Sequence, residues 1–252
     1  MRVTRRPVLL AAAAGLLIVA VFAVAPKEQP QDYHAFADTA RLGTVPNALN
    51  VLSNTAFLAV GLWGFLVVLS PRSADAFDEP WRRRPWALFF AAVAVTALGS
   101  AYYHWRPADA TLFWDRLPMT VAFTALVTAV LAERVDARVG RWLFLPLVAA
   151  GLAAILAWRI HGDLRPYIAL QASSILVVLV STLFFASRPG EGRWMAGLLA
   201  GYAAALLLEA FDHEVKGLLG FTGGHPLKHF AAAAGTACVV IMLKRRQCRA
   251  SA

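Results

Sequence analysis

Cysteine is almost missing from this chain: Cys238 and Cys248 are the only two, one in the last apolar run and one in the tail, so no disulfide framework holds the fold. Charge is scarce as well. Charged residues make up 15% against 59% hydrophobic ones, with a mean hydropathy of +0.59, which excludes a soluble globular domain. Acidic residues are the rarer sign, 15 against 24 basic ones, for a net charge of +9. Such a surplus can mark a nucleic-acid binder, but the basic residues do not gather in a patch with aromatics between them, so no nucleic-acid partner is expected. Long linkers and internal repeats are absent too, which leaves a single helical bundle.

What the chain does have is apolar runs of spanning length. A 19-residue window finds eight, at roughly 7–25, 48–70, 86–104, 115–132, 142–159, 166–187, 194–211 and 226–243. The first, behind MRVTRR and ending Val-Phe-Ala-Val-Ala, has the form of a secretory signal with an A-x-A site. Pro26 sits where the mature chain would begin and hinders cleavage, so residues 1–25 read as a retained membrane anchor. Residues 26–46 then form an extracytoplasmic polar segment, residues 47–243 a seven-helix membrane domain, and residues 244–252 a basic cytoplasmic tail.

Basic residues divide by topology. With the N-terminus inside, the inner loops and ends carry 16 Lys and Arg and the outer loops 7, while Arg116 lies just within the fourth span. Every inner loop equals or exceeds its outer neighbours, the positive-inside pattern, so both termini are expected in the cytoplasm. An Ala- and Arg-rich chain of this kind reads as a multi-pass protein of a bacterial inner membrane.

Ionisable groups at membrane depth cost a few kcal/mol or more unless they are paired or face a cavity. Five polar residues fall at one expected depth: Ser100 and His104 at the outer end of the third span, Asp115 at the start of the fourth, and His225 and His229 at the start of the eighth. The last two stand in Gly224-His225-Pro226-Leu227-Lys228-His229-Phe230, four apart and so on one helix face. Taken singly, an interfacial His is usually hydrogen-bonded, a Ser in a span usually packs, and an Asp at a helix start usually caps. Together they suggest three imidazoles around a metal with a fourth position open, the form of a catalytic zinc site; iron, copper and nickel also accept imidazole. Haem is disfavoured, because stacked haems take His pairs on facing helices.

The ordered set Ser100-x3-His104, then Asp115-Arg116-Leu117-Pro118-Met119, then His225-x3-His229, with Asn50-Val51-Leu52-Ser53-Asn54 in an early helix, resembles the alkaline ceramidases and their wider membrane-hydrolase superfamily, which includes adiponectin-receptor and hemolysin-III-like proteins. The similarity runs over about residues 47–243. It implies an all-α polytopic membrane bundle: a seven-transmembrane hydrolase core, here with an additional N-terminal helix. The activity implied is a Zn2+-dependent amidase that hydrolyses the N-acyl bond of ceramide or a related acyl-amide lipid to a fatty acid and an amine base. The same resemblance implies that His104, His225 and His229 hold the metal, that Asp115 shuttles the proton, and that Ser100 bonds a developing oxyanion or orients water. A non-catalytic zinc-containing lipid-binding or receptor-like membrane protein is the alternative.

Two departures stand out. The animal enzymes carry an acidic residue where this chain has Arg116, and their calcium-binding spacing is not reproduced by Asp32, Asp38 and Asn47. Glu209 and Asp212 are expected either to orient a ligand His through its second ring nitrogen or to pair with Arg116 or Lys228. His161-Gly162-Asp163 and Arg165 read as turn chemistry, His34 as solvated, and Tyr102, Tyr103, Trp105, Phe113 and Trp114 as an interfacial belt.

Overall fold

The computed structural model describes residues 5–73 and 75–250. Arg2, counted above with the inner basic residues, and the last two residues of the expected tail lie outside them. The described chain is all-α: α1 (Arg5–Phe22), α2 (Ala48–Leu52), α3 (Thr55–Leu69), α4 (Arg83–Trp105), α5 (Asp109–Val130), α6 (Ala137–His161), α7 (Arg165–Phe184), α8 (Gly192–Ala210), α9 (Asp212–Leu219) and α10 (Gly224–Ala250). In hydrocarbon every backbone N–H and C=O must be satisfied within the protein, and helices do this segment by segment.

Among the described residues seven helices are long and apolar enough to cross a membrane, α2 and α3 counting as one span. The seventh expected run differs. Gly192–Ala210 reaches span character only together with α9, from which an 80° bend separates it. The bend falls where Phe211-Asp212-His213-Glu214 interrupts the apolar run, and Asp212 is drawn inward by the bonds described below.

The bundle core is formed by α4 against α5, α10 against α8, and α3 against α4. Small residues allow these close approaches. A Cβ on Gly99 would collide with the Trp114 carbonyl, and one on Gly224 with that of Leu208. The first glycine lets α4 meet α5 beside Ser100 and Asp115; the second lets α10 start against the end of α8. Large side chains such as Leu98, Trp142, Leu145, Ile160 and Leu183 are left exposed on the outside, as a lipid-facing surface requires. Helix α1 packs on α7 with only Leu10 buried. The loop after α6 pins its end: Gly162 adopts φ 72°, Asp163 accepts from the Arg165 backbone N–H at 3.0 Å, and Arg165 donates to the Val24 carbonyl at 2.8 Å, in keeping with the expected turn.

Two polar segments pack more closely than their composition suggests. The basic end of the chain continues α10 to Ala250, with Arg246 and Gln247 buried. The Arg246 guanidinium donates to Glu133 at 2.7 and 2.9 Å and to Glu191 at 2.9 and 2.8 Å, while the Trp86 indole N–H donates to Glu133 at 2.8 Å. This charge cluster ties α10 to α4, to the end of α5 and to the start of α8. Residues 26–46 are partly buried as well. They fold back across the bundle, and Phe36 and Asp38 are buried.

Candidate metal centre

His104 ends α4, and His225 and His229 lie one turn apart in the first turns of α10. All three are at most 4% exposed. One ring nitrogen from each comes within 4.8 Å of the others, and the ring centroids lie 4.7 to 5.3 Å apart. Buried polar atoms nearly always have hydrogen-bond partners, yet both nitrogens of His104 and Nε2 of His225 have none. Unpaired imidazole nitrogens facing one another are what a metal ion would satisfy, and the cluster is able to bind one. The donors alone do not choose between zinc and other imidazole-loving ions.

The helix ends are held by specific bonds. Asp212 accepts from the His225 backbone N–H at 2.7 Å and from that of Ala37 at 2.9 Å, so its carboxylate caps the start of α10. It does not touch a His ring, which sets aside the ring-orienting role considered for it. Glu209 forms an ion pair with Lys228 and accepts from the Tyr33 phenol at 2.9 Å. Of the two cations weighed as its partner, the structure selects Lys228. Burial pushes the Tyr33 phenol up, so it remains a neutral donor. Asn47, at φ 46°, donates to the His104 carbonyl at 2.9 Å and occupies an orphan acceptor at the end of α4.

Ser53 does what Asp212 was expected to do. Its Oγ donates to the Asn50 carbonyl at 3.1 Å and lies 2.7 Å from Nδ1 of His229. With its hydrogen committed to Asn50, the hydroxyl accepts from Nδ1–H and leaves Nε2 as the lone-pair nitrogen, the tautomer that a metal ligand needs. The Asn-x-x-Ser-Asn element was the available signal for Ser53, but its partner is 176 residues away.

Phe36 covers the cluster, its ring 4.8 Å from that of His104 and 4.7 Å from that of His225. His34 is not solvated as expected: Nδ1 lies 2.9 Å from the Tyr103 hydroxyl and Nε2 3.0 Å from Asp109, which fastens the covering segment to α4 and α5.

Beside the cluster lies a cavity of about 450 Å³, within the range of about 300–1,000 Å³ usual for small-molecule sites. Its polar end is lined by Ser100, Asp115, Arg116, Lys228 and His229, and its far end by apolar side chains such as Phe89, Phe123 and Leu126. Asp115 is not at a helix start as expected, because α5 begins at Asp109; its carboxylate is free of capping duty and lines the cavity together with the Ser100 hydroxyl. All five predicted site residues are therefore gathered at one end of the bundle, with His229, Ser100 and Asp115 facing the cavity and His104 and His225 behind. Comparisons with protein-family models and with curated proteins gave no match.

Proposed function

We propose that this chain is a metal-dependent membrane hydrolase that cleaves the acyl amide of a ceramide-like lipid, releasing a fatty acid and an amine base. One observation carries the reading: three buried imidazoles, two of them with unsatisfied nitrogens, cluster at the edge of a lipid-sized cavity whose polar end also holds Ser100 and Asp115. A purely structural site has no use for a proton carrier at its edge.

His104, His225 and Nε2 of His229 would hold zinc, which supplies Lewis acidity and brings the pKa of bound water toward about 7. The rest falls to the chain's own groups. Ser53 holds the His229 ring in one tautomer. Asp115 takes a proton from the attacking water as the C–O bond forms and returns it to the nitrogen as the C–N bond breaks. Ser100, beside Asp115 at the polar end of the cavity, would fix the direction of that carboxylate. The apolar end of the cavity receives the acyl chain, and Phe36 keeps bulk water from the cluster.

A second reading, a non-catalytic metal-stabilised lipid-binding protein, draws support from the position of Phe36, which covers His104 and His225 while His229 alone of the three lines the cavity. Metal analysis and turnover together separate the two. The purified protein should carry about one zinc and cleave a member of an N-acyl lipid panel; His225→Ala should lose the metal, and Asp115→Ala should keep it but lose turnover. Absence of bound metal from the native protein would overturn both readings, and bound metal without turnover on any amide would leave the second. Orientation, with both termini in the cytoplasm and the site toward the other side, is proposed from the basic-residue asymmetry, and reporter fusions at residues 35 and 250 test it.

A further inference from the structure

Arg116 is 7% exposed, and no carboxylate forms an ion pair with it among the described residues. Its guanidinium carbon lies 4.8 Å from the ring centres of Trp158 and Tyr167 and 5.4 Å from that of Tyr33. Aromatic faces attract the cation and fix its plane, but they offer its N–H groups no acceptor, and NH1 is buried without a partner. Of the nearby acids, Glu209 is taken by Lys228 and Tyr33, and Asp115 feels the Arg116 charge without forming an ion pair with it. An unpaired buried charge is costly, and Arg116 lines the cavity, where a ligand would supply the missing acceptor.

We propose that Arg116 recognises an anionic oxygen group, carboxylate or phosphate, on the polar half of an amphiphile bound in this cavity. A planar guanidinium forms paired charge-assisted bonds with either group. Arg116 follows Asp115 on the same helix, so the anion sits within a few atoms of the scissile amide and not at the far end of the acyl chain. Placing it on the amine side of that amide rests on the hydrolase reading. The preferred substrates then become N-acyl amino acids or phosphorylated N-acyl amines over neutral ceramide.

The test is ligand competition on full-length protein in detergent, read by displacement of a fluorescent lipid, with hydrolysis scored separately. The probes are N-palmitoylglycine, neutral N-palmitoylethanolamine, ceramide 1-phosphate, ceramide and palmitate. Native protein should bind N-palmitoylglycine or ceramide 1-phosphate about ten- to hundredfold tighter than its neutral counterpart; the pair showing the gap identifies carboxylate or phosphate. Arg116→Gln should erase the gap without weakening the neutral ligands, and Arg116→Lys should keep part of it. No gap in the native protein, or a gap that survives Arg116→Gln, overturns the proposal. A gain seen for palmitate alone overturns the assignment to the amine half. A gap that depends on Arg116, with no amide cleaved, keeps the anion site and counts against the hydrolase reading.

Discussion

Arg246 and Arg116 are buried alike, at 5% and 7% exposure, but at opposite ends of the bundle. Arg246 lies 17 residues beyond His229 on α10, about 25 Å at 1.5 Å per residue. At that end four charge-assisted bonds to Glu133 and Glu191 satisfy the guanidinium, and the cluster joins elements far apart in the chain. At the other end, Arg116 is wrapped in aromatic rings and, among the described residues, forms no ion pair, a few side chains from imidazoles whose nitrogens also go unpaired. The first guanidinium is satisfied by the protein alone; the second and the imidazoles beside it leave donors and acceptors waiting, as sites that exchange stability for binding do.

Substituting the two arginines alike is the sharpest way to break this contrast. Arg246→Met should cost about 3–5 kcal/mol, because two largely buried carboxylates then lose the cation bonded to them. Arg116→Met should leave the ligand-free protein unchanged or raise its stability, since an unpaired charge is removed. Melting in detergent reads both, and equal losses would show that Arg116 is as much a structural residue as Arg246.

The site end depends instead on close backbone approach. Gly99→Ala would push α4 from the Trp114 carbonyl and should cost roughly 1–3 kcal/mol, with turnover falling further than metal content because Ser100 and Asp115 separate. Equal falls in the two would argue against the Ser100–Asp115 pair as a unit. Ser53→Ala leaves the fold intact but frees the His229 tautomer, so metal affinity should fall by about 10- to 100-fold, measured by chelator competition. Unchanged affinity would remove Ser53 from the site.

The smallest effect belongs to a pair in neither cluster. The Arg165 guanidinium beside Asp163 holds its carboxyl down at about 2, below the ordinary value of about 3.9. A lowered folded pKa contributes stability that is present above the unfolded value and is lost as pH falls from about 4 toward 2. The carboxylate is close to solvent, so screening leaves it at most a few tenths of a kcal/mol. Asp163→Asn should lower the melting temperature slightly at pH 7 and not at pH 2.

Much of the fold was legible in the chain. The spans follow from apolar windows, and the His225–His229 pairing follows from their spacing of four; both are local properties that helix periodicity carries. Placing His104 and Asp115 at the depth of that pair needed only alternation of the spans across the membrane. Harder to see were the 80° bend after Ala210, the continuation of α10 into the basic tail, and the folding back of residues 26–46. Each is set by contacts between segments with no shared periodicity.

By itself, then, the sequence determined an all-α bundle of spanning helices and a set of imidazoles at one level within it, because hydrocarbon demands internally bonded backbone and a helix repeats every 3.6 residues. Only the tertiary structure decided which partner each polar group would have: Ser53 for His229, Lys228 for Glu209, the α10 backbone for Asp212, and, among the described residues, no ion pair for Arg116. Those choices rest on how closely distant helices approach. Packing of small residues such as Gly99 and Gly224 sets that distance, and spacing along the chain does not carry it.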